Sequence, residues 1–336
     1  MKVNNDQELI ASVIILGYNG KQYLEACISS ALNQDLRPGE YEVIYADNGS
    51  SDGSADYVAD MFPAVRVLRF PCNYGFAEGN NRAATFARGR YLAFLNQDMI
   101  VHHRWLSELI RVMGENRQVK ACYSVGLPYQ PGDPVEEVQP GAQVIYGDIG
   151  RFGAVEFREA YWGEESVPTL LVGGGAMVIE REFANQLGYL FDSNFFMYGE
   201  DIDLGLRLNG LGHQVMCVPT SLVYHARSER ASLNLTNLCR LYWATRNRFL
   251  AYFKNMYILD FLRVLPLLLI GSVVKLRYAK MSRMRQILYA ALAIPLSLFS
   301  LAIAALMFPR FLDKRRAILK ARIRERGWII RELRNR

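Results

Sequence analysis

Short apolar runs alternate with amphipathic segments through the first hundred residues, and this alternation restricts the fold more than any other feature of the chain. The runs have the length of strands buried on both faces, and they cover residues 12–16, 41–46, 65–69 and 91–95. Apolar residues at helical spacing predict helices at residues 55–61, 82–88 and 106–113. Strands that alternate with helices predict a doubly wound α/β sheet.

Polar side chains follow these predicted strands directly. Tyr18, Asp47 and Asp98 each lie just past the end of a strand. In doubly wound sheets, ligands bind beyond the carboxyl ends of the strands. The topology alone would therefore collect these three side chains in one crevice.

Three carboxylates lie within four positions at Glu200, Asp201 and Asp203, directly after an aromatic run. Leucines at helical spacing follow them, so the acids are predicted at or just before a helix N-terminus. The helix dipole favours negative charge there, whereas mutual repulsion opposes full ionisation. A carboxylate at the mouth of a pocket could serve as a general base, and the alternative is an acidic helix cap with a solvated first turn.

Residues 128–166 interrupt the alternation with four prolines, many glycines, several acids and Trp162. A segment of this length is predicted to be a functional loop or a partly ordered insertion. Gly173, Gly174 and Gly175 follow shortly after it. Three consecutive glycines permit a close backbone approach to a ligand or a neighbouring strand, and a bulge without a ligand is the alternative.

Composition argues against several classes of protein. Hydrophobic residues make up 51% of the 336 residues and charged residues 21%, which permits a large core and argues against global disorder. The five cysteines are scattered without a C-x-x-C pair, which argues against a disulfide framework or zinc site and favours a reducing compartment. The polar N-terminus lacks the pattern of a signal peptide, so a cytosolic location is expected.

Charge is distributed unevenly along the chain. Residues 1–255 carry 22 Lys and Arg against 29 Asp and Glu, a net charge of −7. Residues 256–336 carry 17 against 4, a net charge of +13, and the two parts sum to +6. Because the basic residues of the tail alternate with long aliphatic runs, we expect an anionic membrane surface as its partner and no nucleic acid.

One apolar run of the tail is long enough to cross a bilayer. Residues 287–308 form 22 residues without a charge. The flanks, residues 275–285 and the segment after Pro309, are both basic, so a spanning helix would export one of them against the positive-inside tendency. We therefore predict a re-entrant or interfacial hairpin with both flanks in the cytosol. A spanning helix, a soluble helical subdomain and an oligomer interface are the alternatives.

Six motifs, in order and spacing, resemble glycosyltransferase family 2, and in particular its bacterial rhamnosyltransferase-type members. They are residues 12–19, 47–54, 73–81, 96–98 and 199–203, and His225; the similarity covers residues 10–250. The resemblance implies the GT-A fold, a doubly wound, Rossmann-like mixed sheet, for a catalytic domain over residues 1–255. Residues 256–336 would then form a basic, apolar helical region that associates with the membrane.

The resemblance also implies roles for matching residues. Asp201 matches the base that deprotonates the acceptor hydroxyl, and Glu200 would position the acceptor or tune Asp201. Asp98 matches the last position of the D-x-D metal motif, and His225 matches a histidine that completes the Mg²⁺ or Mn²⁺ site in some members. The donor-binding residues implied are Tyr18, Asn19, Asp47, Asn48, Gly49, Gly75, Asn80, Asn81, Asn96 and Gln97. The acceptor-binding residues implied are Trp162, Gly174, Gly175 and Glu200.

Two of the donor-binding residues have specific implied contacts with the nucleobase. Asp47 would accept a hydrogen bond from the pyrimidine ring N–H, and Tyr18 would pack near the base. The chain also departs from the family pattern. Asn96 replaces the first Asp of the D-x-D motif, and Gln97 stands where a Pro is common. A purely structural role is the alternative for His225.

The function implied is that of an inverting, metal-dependent glycosyltransferase with a nucleotide-sugar donor, dTDP-rhamnose or a UDP-sugar. The acceptor would be a lipid-linked or envelope polysaccharide at the cytosolic face of the plasma membrane, where the protein is peripheral or monotopic and could form a homo-oligomer. A catalytically inactive nucleotide- or glycan-binding protein on the same fold is the alternative. The presence of both Asp98 and Asp201 argues against it, because a binding protein needs no base.

Overall fold

The computed structural model describes residues 9–131, 138–226, 235–274 and 283–336. The strands in these ranges are β1 Ala11–Gly17, β2 Tyr41–Asp47, β3 Arg66–Arg69, β4 Tyr91–Asn96, β5 Met99–Val101, β6 Val119–Tyr129, β7 Gln143–Ile149, β8 Val155–Tyr161, β9 Val167–Thr169, β10 Ala176–Glu180 and β11 Gln214–Ala226. The helices are α1 Lys21–Leu32, α2 Ser54–Met61, α3 Gly75–Ala84, α4 Trp105–Glu115, α5 Arg181–Gln186, α6 Glu200–Gly210, α7 Leu235–Asn255, α8 Ile258–Val274, α9 Arg283–Met307, α10 Leu312–Ala321 and α11 Trp328–Arg334.

The strands form one mixed sheet in the order β3-β2-β1-β4-β10-β6-β11-β5, with β7 and β8 attached through β6 and β9 beside β11. Strands β1 to β4 are parallel, β10 is antiparallel to both its neighbours, and β5 is antiparallel to β11. From β1 the sheet extends through β2 and β3 on one side and β4 on the other, which opens a crevice at the carboxyl ends of β1 and β4. The predicted mixed α/β sheet is thus confirmed.

Helices cover both faces of the sheet, which explains the continuous apolar runs of its strands. Ile14 of β1 lies in the hydrophobic cluster that includes residues of α3 and α6. Its neighbours Val13 and Ile15 lie in the opposite cluster, which includes residues of α1 and α4. Because successive strand residues point to opposite faces, β1 is buried on both sides and leaves only its polar carboxyl end open.

Two predictions about secondary structure need correction. The helix predicted at residues 82–88 is α3, which begins earlier at Gly75 and ends at Ala84. Residues 128–166 are not merely a loop, because β7 and β8 pair as an antiparallel hairpin within them. The many prolines and glycines concealed the period-two pattern of β7, in which Val144 and Tyr146 are buried.

The C-terminal helices share a core with the sheet domain. Phe261 of α8, Ala304 of α9 and Trp328 of α11 are buried in the same cluster as Phe191 and Leu204. The residues on either side of the predicted boundary at position 255 are therefore packed together.

Helix α9 has two unlike faces. It packs against α7 and α8 through small buried residues, which are Ala293, Ser297, Ser300 and Ala304. Leu298, Phe299 and Leu306 are 54%, 56% and 77% exposed on the other side. Within the side chains that the structure describes, one stretch, Ala291–Ala321, is long and apolar enough to cross a membrane by length and composition. Most of the predicted basic loop before α9, residues 275–282, lies outside the described ranges.

Candidate active site

Asp98 and His225 meet at the edge of the crevice. Antiparallel pairing of β5 with β11 places His225 opposite Met99, so Asp98 is its near neighbour. The His225 Nε2 atom lies 3.2 Å from the Asp98 Oδ2 atom, and each side chain is about one third exposed. The Ala226 N–H also donates to the Asp98 carbonyl at 3.0 Å. Strand pairing thus brings together two polar groups that are 127 positions apart in sequence.

This pair has the chemistry of a partial metal site. A carboxylate oxygen suits Mg²⁺ and Mn²⁺, and an imidazole nitrogen suits many divalent transition metals. No group of three or more His, Cys, Asp or Glu residues that could hold a metal occurs among the described residues. Asp98 and His225 therefore fit a cation that takes its other ligands from a diphosphate and water, as Mg²⁺ usually does.

Asp47 and Tyr18 lie at the neighbouring strand ends. The Ser50 N–H donates to Asp47 Oδ2 at 3.1 Å, whereas Asp47 Oδ1 is buried without a hydrogen-bond partner among the described residues. Tyr18 is 45% exposed, and the Gln97 amide holds its backbone through two hydrogen bonds of 3.1 Å. The free acceptor atom of Asp47 and the exposed Tyr18 ring are compatible with the predicted contacts to a pyrimidine base.

Several asparagines predicted to bind the donor hold the crevice loops with their side chains. Asn48 Nδ2 donates to the Asn73 side chain and the Gly75 carbonyl, both at 3.1 Å. Asn19 Oδ1 accepts from the Ser51 N–H at 2.9 Å. These amides therefore build the loops, and a direct donor contact from them stays a prediction.

The two asparagines of α3, Asn80 and Asn81, use their side-chain amides in hydrogen bonds within the protein. Asn80 is 2% exposed and donates to the Phe76 carbonyl of its own helix. The Asn81 amide donates to the Phe191 carbonyl at 2.7 Å and accepts from the Phe191 N–H at 3.0 Å. Both polar atoms of the Asn81 amide thus bind the backbone of Phe191, and a donor contact from Asn81 stays a prediction.

Two glycines of the motifs are required by backbone geometry. Gly75 has φ of 77°, and a Cβ there would overlap the Phe196 carbonyl oxygen, which accepts the Phe76 N–H at 2.7 Å. Gly49 has φ of 78°, and its Cβ would lie 2.7 Å from the Cys72 backbone. Gly75 therefore allows the first turn of α3 to touch the segment that leads into the acidic run.

The acidic run forms the first turn of α6, as predicted. Its N-cap, Gly199, has φ of 90°, and the preceding Tyr198 has φ of 65°, which is unusual for a residue with a Cβ. Asn247 of α7 donates to the carbonyls of Met197 and Tyr198 at 3.0 and 2.7 Å. Helix α7 thus holds this strained turn and sets the direction in which α6 begins.

The two neighbouring acids of this turn have different environments. Glu200 is 7% exposed, and its Oε2 atom has no partner among the described residues. Burial raises the pKa of Glu200 well above its ordinary value, and the charge of Asp201 raises it further. Burial therefore favours the neutral form of Glu200, and the predicted contact of Glu200 with an acceptor stays a prediction. Asp201 is half-buried and accepts the Ile202 N–H at 2.8 Å, so it is the better candidate for the base.

The third acid, Asp203, has a structural role. It is fully buried and accepts from Lys254 at 2.8 Å, Asn255 at 2.9 Å and Arg207 at 3.1 Å. Lys254 also donates to the buried Asp192 at 2.6 Å. Asp203 therefore anchors α6 to α7 and is not available to a substrate.

The glycine run connects the two halves of the site. A Cβ on Gly175 would lie 3.2 Å from Asn96 Nδ2, and a Cβ on Gly174 would lie 3.7 Å from Asp201 Cβ. The Asn96 N–H donates to the Gly175 carbonyl at 2.8 Å. Because consecutive glycines lie next to both groups, the strand end before Asp98 and the helix start at Asp201 are close to each other.

Trp162 does not lie in this crevice as an exposed ring. Its side chain is 8% exposed and belongs to the hydrophobic cluster that contains Ile14. Its ring meets the His102 ring edge-on, with the ring centres 5.4 Å apart. The Trp162 ring is therefore used in packing, and its contact with an acceptor stays a prediction. Sequence reasoning also missed Asn247 and Lys254, because α7 carries several other polar residues and no local pattern distinguishes these two.

Comparisons with known proteins agree with this geometry. Residues 12–169 match the family model for glycosyl transferase family 2. The chain is 30% identical over 235 residues to the O-antigen biosynthesis protein RfbC of Myxococcus xanthus, covering 65% of this chain but only 17% of that protein. It is 25% identical over 245 residues to the N-acetylglucosaminyl-diphospho-decaprenol L-rhamnosyltransferase of Mycobacterium tuberculosis, covering 65% of this chain and 76% of that protein.

A solved structure gives an independent comparison of the fold. The crystal structure of GalNAc-T7 with UDP, GalNAc and Mn²⁺ matches 72% of this chain and 48% of its own, with a TM-score of 0.55 and 19% identity. At this identity the likeness concerns the fold alone, and it is the GT-A fold that the motifs implied. Residues 12–169 of the chain are thus similar to glycosyl transferase family 2, as the motifs implied.

Proposed function

We propose that this protein is an inverting glycosyltransferase that moves a sugar from a nucleotide-sugar donor to a lipid-linked or envelope glycan. The observation that carries the proposal is the glycine run beside both groups: the Gly175 carbonyl accepts the Asn96 N–H at 2.8 Å, and a Cβ on Gly174 would lie 3.7 Å from Asp201 Cβ. A candidate base and a candidate site for the donor diphosphate thereby border the same space.

In the proposed reaction, Asp201 takes the proton of an acceptor hydroxyl as that oxygen attacks the anomeric carbon. The bond from this carbon to the diphosphate oxygen breaks on the opposite face, and its electron pair leaves with the nucleoside diphosphate. A divalent cation held by Asp98 and His225 would neutralise charge on the leaving group. Glu200, which lies next to Asp201 and whose neutral form is favoured by burial, would tune Asp201.

The relatives support a bacterial envelope substrate. The Mycobacterium protein is named for rhamnosyl transfer to a diphospho-decaprenol acceptor, and the Myxococcus protein for O-antigen biosynthesis. We therefore propose dTDP-rhamnose as the first donor to test and UDP-sugars as the second. A panel of nucleotide sugars, scored for binding by thermal shift and for transfer to a lipid-diphosphate sugar, tests the function. Binding without transfer to any acceptor would favour the inactive binding protein.

Loss of the carboxylate at position 98 should weaken donor binding that depends on metal. Asp98→Ala removes the one carboxylate at the proposed cation site, so donor affinity measured by calorimetry in Mn²⁺ should fall about tenfold or more. His225→Ala should have a smaller effect, because imidazole is the weaker ligand for a hard cation. Equal donor affinity for the wild-type protein with and without EDTA would contradict the metal-dependent scheme.

We also propose that α8 and α9 seat the protein on an anionic membrane. Leu262 of α8 and Leu298 and Phe299 of α9 are more than half exposed, although they are strongly apolar. Because the small-residue face of α9 is packed on the protein, these side chains are free to enter the headgroup boundary while the basic tail contacts anionic lipid. This arrangement supports the interfacial alternative over a spanning helix.

Leu298→Glu should weaken membrane binding. Burial of a leucine side chain contributes about 1.5–3 kcal/mol, so the fraction bound to phosphatidylglycerol vesicles should fall roughly tenfold in a flotation assay. Met61→Glu is a matched control, because Met61 is 59% exposed on α2, outside the proposed membrane face. Equal losses for both variants would show that α9 has no special role in binding.

A further inference from the structure

We infer that Arg246, together with the rings of Tyr242 and Trp243, binds the diphosphate of a lipid-linked acceptor between the catalytic crevice and the apolar face of α9. This inference rests on the proposed glycosyl transfer. It adds a binding site for the charged linker of the acceptor, on a helix outside the six sequence motifs.

One face of α7 contacts the acidic turn of the active site. The Trp243 ring lies 5.4 Å from the Phe196 ring, and Asn247, one helical turn later, binds the carbonyls of Met197 and Tyr198. This face therefore borders the segment that leads directly to Asp201. An acceptor hydroxyl at Asp201 would place the rest of the acceptor close to these residues.

The adjacent face of α7 contacts the exposed apolar surface. Tyr242 lies 5.8 Å from the ring of Phe299 on α9, and Phe299 is 56% exposed. Tyr242 and Arg246 are four positions apart and so share one side of the helix. The two faces of α7 thus run from the catalytic turn to a surface suited to a hydrocarbon chain.

Arg246 lies where these two faces meet. Its Nε donates to the Asn247 side chain at 2.8 Å, and its guanidinium carbon lies 5.4 Å from the centre of the Tyr242 ring. No carboxylate forms an ion pair with Arg246 in the described ranges. Half-buried and without a counter-ion there, its terminal N–H groups can bind phosphate oxygens in the bidentate way that guanidinium favours.

The next arginine of α7 provides a contrast. Arg248 is buried and donates to the Leu268 carbonyl at 2.7 Å, and burial lowers its pKa to about 10. Arg248 therefore joins α7 to α8, whereas Arg246 faces the route between crevice and lipid. The order of contacts along this route matches an acceptor with a sugar at Asp201, a diphosphate at Arg246 and a hydrocarbon chain along Phe299.

The test compares two acceptors that carry the same sugar, one linked through a diphosphate to a farnesyl chain and one a neutral octyl glycoside. Arg246→Met should raise KM for the diphosphate acceptor about 10- to 100-fold more than KM for the octyl glycoside, because a charge-assisted bond to the diphosphate is lost. Arg246→Lys should recover part of the loss. Arg117→Met, on an exposed turn, controls for loss of one positive charge.

The failures of the two proposals can be told apart. If the wild-type protein transfers sugar to neither acceptor, the proposed function fails. If it transfers to both and Arg246→Met impairs them equally, Arg246 only holds Asn247 and the acceptor site is wrong.

A binding experiment separates the lipid from a free anion. With the donor site saturated by nucleoside diphosphate, full-length protein should bind farnesyl diphosphate at least tenfold more tightly than farnesol or inorganic pyrophosphate, and Arg246→Met should remove that preference. Equal binding of pyrophosphate and farnesyl diphosphate would overturn the assignment to a lipid-linked acceptor.

Discussion

Asp201→Asn should lower the turnover of sugar transfer by about 10²–10⁴, the usual contribution of a general base, while donor binding is kept. The amide retains the shape of the carboxylate and can still accept the Ile202 N–H, but it cannot take a proton. The measurement is kcat for transfer at saturating donor and acceptor, beside donor affinity by calorimetry. A loss in kcat with unchanged donor affinity would place the defect in the chemical step.

Glu200→Gln is the matched control for this variant. Burial favours the neutral form of Glu200, so an uncharged amide of similar shape is a mild change at this position. We therefore expect a loss in kcat below about tenfold, much smaller than for Asp201→Asn. If the two effects are reversed, Glu200 is the base and its burial must be relieved when substrate binds.

Lys254→Met should destabilise the protein by about 3–5 kcal/mol, the usual cost of removing one partner from a buried ion pair. Lys254 is fully buried between Asp192 and Asp203, and both carboxylates would lose their shared cation. The free energy of unfolding from urea denaturation measures the effect. Lys120→Met is the control, because Lys120 lies 3.3 Å from Glu180 at the surface and should contribute less than about 1 kcal/mol.

The difference in the free energy of unfolding between the wild-type protein and Lys254→Met should depend on pH in one direction. Burial opposes ionisation of Asp192, but Lys254 and Lys314 outweigh it and hold its pKa below the ordinary value of 3.8. A carboxyl with a depressed pKa stabilises the folded state above its unfolded pKa, and this stability is lost as the pH falls through the folded pKa. The difference in stability between wild type and Lys254→Met should therefore narrow below pH ~4. A constant difference from pH 7 to pH 3 would contradict the role assigned to Asp192.

This cluster also gives α10 a role in holding the active site. Lys314 of α10 donates to Asp192 at 2.7 Å, and Asp192 is joined through Lys254 to Asp203 on α6. The helix that carries Asp201 is thus connected by buried charges to the C-terminal helices that we propose to lie on the membrane. Arg315 adds hydrogen bonds to the Phe253 and Met256 carbonyls at the end of α7.

Local patterns in the sequence were sufficient for the sheet and for the strand-end residues. Residues 12–16 form a continuous apolar run because β1 is covered on both faces, and such a run is visible without any neighbour. Parallel strands place their carboxyl ends at one edge, so Tyr18 and Asp47 could be assigned to a common crevice. The acidic start of α6 followed from the spacing of its leucines. Prediction failed at β7 and β8, where prolines and glycines outweighed a weak period-two pattern.

The sequence by itself thus determined the sheet, the crevice edge and the position of Asp201 at a helix start, because each depends on periodicity within one element. Only the tertiary structure decided that Asp98 meets His225, that Glu200 is more deeply buried than Asp201, and that Asn81 binds the Phe191 backbone while the Trp162 ring is buried. It also decided that α7 holds the turn before α6 through Asn247. These outcomes depend on contacts between side chains far apart in sequence, and no local pattern records which distant group will remove a side chain from water or satisfy its hydrogen bonds.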